Sequence, residues 1–142
     1  LICLCLISIM PNQYWREIVF GYLAMQLMLS YFIAGWVKLI NLEWRNGRAL
    51  RDVFEFSAYP VSESLRLLAN QPKLLWCMSW IVILFEVLFP LALFSKTTLH
   101  TFLFIGAIFH LVNAFLFGFN RFFWVWIAAY PSLLWFQQRI FQ

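Results

Sequence analysis

The sequence predicts an all-α protein, a polytopic bundle of transmembrane helices with an interfacial amphipathic segment. Hydrophobic residues make up 64% of the 142 residues and charged residues only 11%, whereas soluble domains carry about 25% charged residues. Long apolar runs recur along the chain, and Trp and Tyr cluster near their ends, as in the aromatic belts of membrane proteins. We therefore expect one transmembrane domain over residues 1–142, with the lipid bilayer as its solvent.

The apolar runs predict about four to five spans. Residues 1–10 are interpreted as the end of a truncated first helix, because no basic region precedes them as it would in a signal peptide. Residues 18–40, 74–94 and 99–119 each approach or exceed the ~20 residues that cross the hydrocarbon core. Residues 122–136 would form a helix of only ~22 Å against a core of ~30 Å, so this span needs flanking residues.

Residues 41–73 form the long polar connection between two predicted spans. Leu50, Val53 and Phe54 recur at helical spacing between charged residues, a pattern typical of helices that lie in the membrane interface. Pro60 would separate this helix from a second amphipathic segment. The alternative interpretation is a small extramembrane cap on the bundle.

The basic residues indicate an orientation and exclude one class of partner. If every run spans, Arg16, Lys96 and Arg139 lie at one end of the bundle, while Arg121 and the basic residues of 41–73 lie at the other. The richer end should face the cytoplasm by the positive-inside rule. The net charge of +4 is spread thinly, without the basic tract of a nucleic-acid-binding protein, so no nucleic acid is expected as a partner.

Ionisable residues inside apolar runs are the first candidates for a site, because lipid penalises charge and such residues need partners. Glu86 and His110 each lie near the middle of a run, and a short turn joins the two runs. We therefore expect these side chains within hydrogen-bond reach, directly or through Asn113 or a water. The alternative is that they form interhelical hydrogen bonds that only fix the helix register.

Lys38 lies near the end of its run, ~14 Å along the axis from the run's centre. A direct contact with a midplane Glu86 would then require a longer helix or a wet vestibule. Its ammonium could instead snorkel to the head groups. Tyr31 and Gly35 share the face of Lys38 and would leave room for a ligand beside it.

The face of His110 also carries Asn113 and Gly106, at helical spacing. A glycine there would let a flat ligand or another backbone approach closely. His100 and His110 fall near opposite sides of one helix, and the chain has no H-E-x-x-H sequence, so no metal site is predicted.

Three segments occur in a fixed order: YFIAGWVKL with a following WRNG, then LFEVLFPLALF, then FHLVNAFLFGFNRFFW. The first resembles the lysine motif of the vitamin K-dependent gamma-carboxylase family and of its bacterial relatives, the horizontally transferred transmembrane (HTTM) proteins. The last is similar to a second motif of that family, and the middle one resembles the segment between them. The resemblance runs from about Tyr31 to Phe136.

The resemblance implies a role for Lys38. In the carboxylase the family lysine is the base that initiates oxygenation of reduced vitamin K, after which a proton leaves a glutamate side chain and carbon dioxide adds. Lys38 would hold that catalytic role, and His110 and Asn113 would line the site of a vitamin K-like quinol, the implied cofactor. The resemblance covers the membrane bundle without the large extramembrane portion that grips the carboxylase substrate, so it does not carry over peptide carboxylation.

Two functional hypotheses follow. In the first, a carboxylase-like bundle binds a quinol or lipid-like ligand, Lys38 is the base, and Glu86 pairs with a cation or positions a helix. In the second, the chain is a non-catalytic small subunit of a photosynthetic or respiratory membrane complex and packs on other membrane subunits or pigments. Under either hypothesis, the protein is expected in a bacterial-type inner or photosynthetic membrane. The two differ in whether the faces of Lys38 and His110 meet a cavity or another subunit.

Overall fold

Helices make up all the regular structure in the computed structural model of the chain, which describes residues 2–56 and 65–141. The α-helices, in chain order, are α1 (Ile2–Ile9), α2 (Gln13–Ile40), α3 (Leu42–Arg45), α4 (Arg48–Phe56), α5 (Pro72–Leu88), α6 (Lys96–Phe117) and α7 (Asn120–Ile140). Two 3₁₀ helices, Arg66–Asn70 and Phe89–Phe94, flank α5. The predicted all-α class is confirmed, while the predicted break at Pro60 lies outside the described residues.

Three helical segments of the described chain are long and apolar enough to cross a membrane: Gln13–Ile40, Pro72–Phe94 and Lys96–Phe117. They correspond to the runs predicted as the second, third and fourth spans, although the fourth ends at Phe117 rather than at residue 119, because Gly118 caps the helix. The helix at the last predicted span, α7, is longer than the apolar run 122–136, because it includes polar residues at both ends. Its 21 residues extend over ~32 Å. Its Trp, Tyr and Gln side chains leave α7 less apolar than the three candidate spans.

Local capping sets the helix ends. The side chain of Asn12 accepts a hydrogen bond from the backbone N–H of Tyr14 at the start of α2, which satisfies one of the free donors of that end. At the start of α6, Ser95 and Thr98 form a capping box. Gly118 ends α6 with a φ of +74°, a left-handed conformation that glycine adopts without steric cost.

Pro90 divides the third apolar run. A proline has no N–H to donate, and its ring clashes with the carbonyl four residues earlier, which here belongs to Glu86. The chain therefore leaves the α-helix at Leu88 and continues as the 3₁₀ helix Phe89–Phe94. As a consequence Glu86 lies in the last turn of α5 rather than in the middle of one long helix.

α2 is the central helix and packs against both α5 and α7. It runs antiparallel to α7, since Arg139 Nη2 lies 2.6 Å from Glu17 Oε1 near the start of α2, and the hydroxyls of Tyr31 and Tyr130 lie 3.0 Å apart further along. The hydrophobic core lies along this contact and the adjoining parts of α6 and the second 3₁₀ helix. Its buried members are Ala24, Leu27, Tyr31, Phe89, Ala92, Leu99, Leu103, Ala129, Tyr130 and Leu133.

The connection after α2 folds back onto the bundle. Ser79 Oγ, on α5, donates a hydrogen bond to the backbone carbonyl of Trp44 at α3. On α4, Phe54 is 1% exposed and its ring centroid lies 5.6 Å from that of Phe117 at the end of α6. The apolar face of α4 therefore rests on α5 and α6, while its charged residues, such as Arg51, lie on the outside.

This arrangement places α3 and α4 at one end of the bundle and the turn before α6 at the other. The two ends of a membrane-spanning bundle lie on opposite sides of the membrane, so we expect Arg51 and Lys96 to face opposite compartments. In a background with Cys3, Cys5 and Cys77 replaced by serine, a membrane-impermeant maleimide added to sealed vesicles should label either Arg51→Cys or Lys96→Cys, but not both. Equal labelling of the two variants from one side would contradict the assignment.

Candidate functional site

Lys38 and Glu86 form an ion pair between α2 and α5. Lys38 Nζ donates a hydrogen bond to Glu86 Oε2 at 2.6 Å, with the two side chains 18% and 6% exposed. The ammonium also lies 3.4 Å from the carbonyl oxygen of Ala34 and 5.2 Å from the ring centroid of Trp44, a cation–π distance. Each charge thus has an opposite charge beside it, which lowers the cost of placing both among apolar helices.

Gly35 brings α2 and α5 together at this pair. A Cβ atom at this position would lie 2.6 Å from the backbone N of Val87 and 2.8 Å from Cβ of Glu86, so any larger residue would force the helices apart. Lys38 follows one turn later and reaches Glu86 directly. The expectation that this contact requires a longer helix or a wet vestibule is therefore wrong, because the crossing of the helices, and not the centre of each run, decides which residues meet.

An apolar cavity of about 310 Å³ adjoins the ion pair. It lies between α4, α5 and α6, and Lys38, Trp44 and Asn113 bring polar groups to its wall. The other lining residues are apolar, and include Leu50, Phe54, Ile81, Val82, Phe109 and Val112. Ligand sites in proteins typically combine such an apolar wall with a few polar groups.

His110 belongs to a second polar centre, buried between α2, α6 and α7. Its Nε2 lies 2.8 Å from the hydroxyl oxygen of Tyr31, which lies 3.0 Å from the hydroxyl oxygen of Tyr130. Trp126 stacks on the imidazole at a centroid distance of 4.8 Å, and Phe89 stacks on Tyr31 at 3.8 Å. Hydrogen bonds and ring contacts therefore hold the imidazole in one orientation.

The structure does not join Glu86 to His110 as predicted. Within the described residues, the carboxylate of Glu86 is bonded to Lys38 and the imidazole of His110 to Tyr31, while Asn113 lies on the cavity wall. The prediction assumed that α5 and α6 pack side by side after their short connection. Few residue pairs of the two helices come into close backbone contact, and Phe85, not Glu86, is the α5 residue whose side chain meets α6 here, with its ring centroid 6.1 Å from that of Phe109.

Gly106 lies beside the second polar centre, away from the cavity. A Cβ atom there would approach the hydroxyl oxygen of Tyr130 to 2.5 Å and that of Tyr31 to 3.1 Å. Glycine at this position therefore leaves the space that the two hydroxyl groups occupy. The predicted catalytic residue Lys38 and the predicted ligand residue Asn113 reach the cavity. The other predicted ligand residues line helix contacts next to it: Tyr31, Gly35, Gly106 and His110.

Sequence reasoning missed Trp126, Tyr130 and Trp44 as members of the two centres. The aromatic-belt pattern would place tryptophans at the interface, but Trp126 stacks on His110 inside the bundle. Tyr130 and Ser132 are the hydroxyl-bearing residues of the apolar run 122–136, which marks both as candidates, but nothing in the sequence pairs Tyr130 with Tyr31. No group of three or more potential metal ligands occurs among the residues that the structure describes.

The close approach at Gly35 generates a stability prediction. Gly35→Ala should destabilise the protein by about 1–3 kcal/mol, because the added methyl meets the backbone of α5 and the helices must separate. The matched control is Gly21→Ala on the same helix, where the new Cβ would lie at an ordinary 3.7 Å from Trp135. Thermal unfolding in detergent would decide, and equal effects of the two substitutions would show that the approach is not tight.

The sequence that builds this site matches a known family of membrane proteins. A family model described as the HTTM domain matches residues 11–138, a range that includes the Lys38–Glu86 pair, the cavity and the second polar centre. No curated protein and no solved structure matches the chain. Together with the three apolar spans, the family match identifies an integral membrane protein, and the chain belongs to the HTTM domain family.

Proposed function

We propose that this protein binds a quinol or a similar lipid-like molecule within the membrane and uses Lys38 as a base in quinol oxygenation-type chemistry. One observation carries the proposal: Lys38 lies on the wall of an apolar cavity, where its Nζ atom is held by Glu86. A lysine that only snorkels would place its ammonium among head groups. Here its carboxylate partner is 6% exposed, which supports a role inside the bundle.

The cavity suits a flat, mostly apolar ligand. Its volume of about 310 Å³ falls at the lower end of the range of about 300–1,000 Å³ for small-molecule sites. The rings of Phe54, Phe109 and Phe117 on its wall can stack on an aromatic head group. A quinol, when bound, supplies the reducing electrons for reaction with oxygen.

Lys38 and Glu86 can hold and move the proton that this chemistry requires. Only the neutral amine can accept a proton, so the proton of the resting ammonium must first be transferred. Glu86 Oε2, at 2.6 Å from Nζ, is within direct proton-transfer distance. The pair then exists as an amine beside a carboxylic acid, and Lys38 can accept a proton from a hydroxyl group in the cavity.

Asn113 and His110 would act differently from each other. The amide of Asn113 lies on the cavity wall and offers both a donor and an acceptor to orient a polar head group. His110 is held by Tyr31 behind that wall, and its ring lies beside Phe109, with the two centroids 5.2 Å apart. We infer that Asn113 contacts the ligand and that His110 positions the wall.

The alternative function, a non-catalytic subunit of a larger membrane complex, would direct the polar faces toward another chain. The side chains of Lys38 and His110 instead point to the cavity and to the bundle interior. This geometry supports a ligand site over a subunit contact. The exposed aromatic residues on the outer surface, such as Phe104 at 67% and Phe115 at 66%, suit lipid as well as they suit a partner.

The proposal predicts that Lys38→Arg abolishes activity without unfolding the protein. Arginine keeps the positive charge and can pair with Glu86, but its guanidinium does not deprotonate in proteins. The measurement is oxygen-dependent consumption of a reduced naphthoquinone by purified protein in lipid. The matched control is Lys96→Arg at the opposite end of the bundle, which should retain wild-type turnover.

The same assay can overturn the proposal. If wild-type protein consumes no more quinol than Lys38→Arg, the catalytic role of Lys38 is excluded. If Lys96→Arg loses as much activity as Lys38→Arg, the effect belongs to lysine replacement in general rather than to the cavity.

A further inference from the structure

A ligand that binds in the cavity, as the proposed function of that site requires, must reach it from outside the bundle. We propose that the cleft between α5 and α6 opens sideways into the bilayer and holds the apolar chain of the ligand, while the polar head lies at Lys38 and Asn113. The ligand class is thus a membrane-dissolved amphiphile with a head group and a long apolar chain, such as a prenylated quinone.

The first observation is the divergence of the two helices. α5 and α6 are joined through the 3₁₀ helix Phe89–Phe94, and α6 packs closely on that segment. Along their lengths, both of which are fully described, few residue pairs of the two helices come into close backbone contact. The ring of Phe85 on α5 contacts Phe102 and Phe109 of α6. Past these rings, toward α4, the cavity lies between the two helices, with Ile81 of α5 and Val112 of α6 on its wall.

The second observation is the composition of the cleft's outer edge. Ile81 of α5 and Val112 of α6 both line the cavity, yet they are 67% and 46% exposed. Side chains that belong to the cavity wall therefore also reach the outer surface of two candidate spans. That surface faces lipid, and an apolar edge excludes water-soluble, charged ligands from this route.

The third observation is that α4 covers another side of the cavity. Phe54 is 1% exposed and contacts Phe117, and Trp44 is tied to α5 through Ser79. The described residues of α3 and α4 thus lie over the end of the bundle that carries the polar connection. Among the described residues, the α5–α6 edge offers an apolar way into the cavity from the side of the bundle, and Lys38 and Asn113 provide polar groups inside it.

The chain of the ligand is expected to add little affinity, because the bilayer is as apolar as the cleft. Its signature is steric: a residue that narrows the cleft should clash with a bound chain and not with a bare head group. This distinction separates the lateral opening between α5 and α6, here called the portal, from the head-group site at Lys38 and Asn113. Only the portal depends on the width of the cleft.

The experiment measures binding of methylnaphthoquinone with and without an isoprenoid side chain to protein in lipid nanodiscs. Binding is followed by quenching of tryptophan fluorescence, to which Trp44 on the cavity wall contributes, with quinone expressed as a mole fraction of lipid. The variant Ile81→Phe/Val112→Phe narrows the cleft. The matched control, Leu84→Phe/Ile105→Phe, places the same residues on the same helices at exposed positions outside the cavity lining.

The narrowed variant should bind the chain-bearing quinone roughly tenfold more weakly than wild type and the bare quinone within about twofold, while the control binds both normally. Equal losses for both quinones, or no loss for either, would overturn the portal. If the portal were overturned in this way but Lys38→Arg weakened the binding of both quinones, the head-group site would still be supported. Failure of wild-type protein to bind either quinone would overturn the portal and the proposed function together.

Discussion

The Lys38–Glu86 ion pair is the constraint on which the rest of the bundle depends. An unpaired charge in a low-dielectric interior is costly, and removal of one partner of a buried pair leaves the other uncompensated. The 2.6 Å contact therefore requires α2 and α5 to approach closely, which Gly35 allows. Glu86 meets Lys38 from the last turn of α5, just before the 3₁₀ helix that contains Pro90. Two charged residues, which are costly in a membrane helix, thus meet at the one crossing where a glycine lets the helices approach closely.

Two polar centres with different surroundings lie within the described part of the bundle. The first, Lys38 with Glu86, borders a cavity, whereas the second, His110 with Tyr31 and Tyr130, is closed by stacked rings. α6 serves both, because Asn113 lines the cavity and His110 enters the core three residues earlier. Hydrogen bonds in the second centre fix α2, α6 and α7 relative to one another, and the amphipathic α4 completes the cavity wall. Helices held together in this way would support the proposed ligand site.

Much of this fold could be predicted from the sequence, and the reasons are local. The lengths of the apolar runs located the three candidate spans, and the cost of charge in lipid was enough to single out Lys38, Glu86 and His110. Their partners could not be predicted, since helical spacing describes one helix and contains no information on how two helices cross. Pro90 was visible, but its conversion of the run's end to 3₁₀ helix, and so the depth of Glu86, depends on packing. Tyr130 was missed for the same reason, because its importance comes from a contact with Tyr31 across the bundle.

The most direct test of the account is a double-mutant cycle at the ion pair. Lys38→Met, Glu86→Gln and the double variant would be compared with wild type by the free energy of unfolding in a lipid environment. We expect the double variant to be less destabilised than the sum of the single variants, with a coupling of at least ~1 kcal/mol, because each single change leaves a buried polar partner behind. Additive effects, with coupling below ~0.5 kcal/mol, would contradict the claim that this pair organises the bundle.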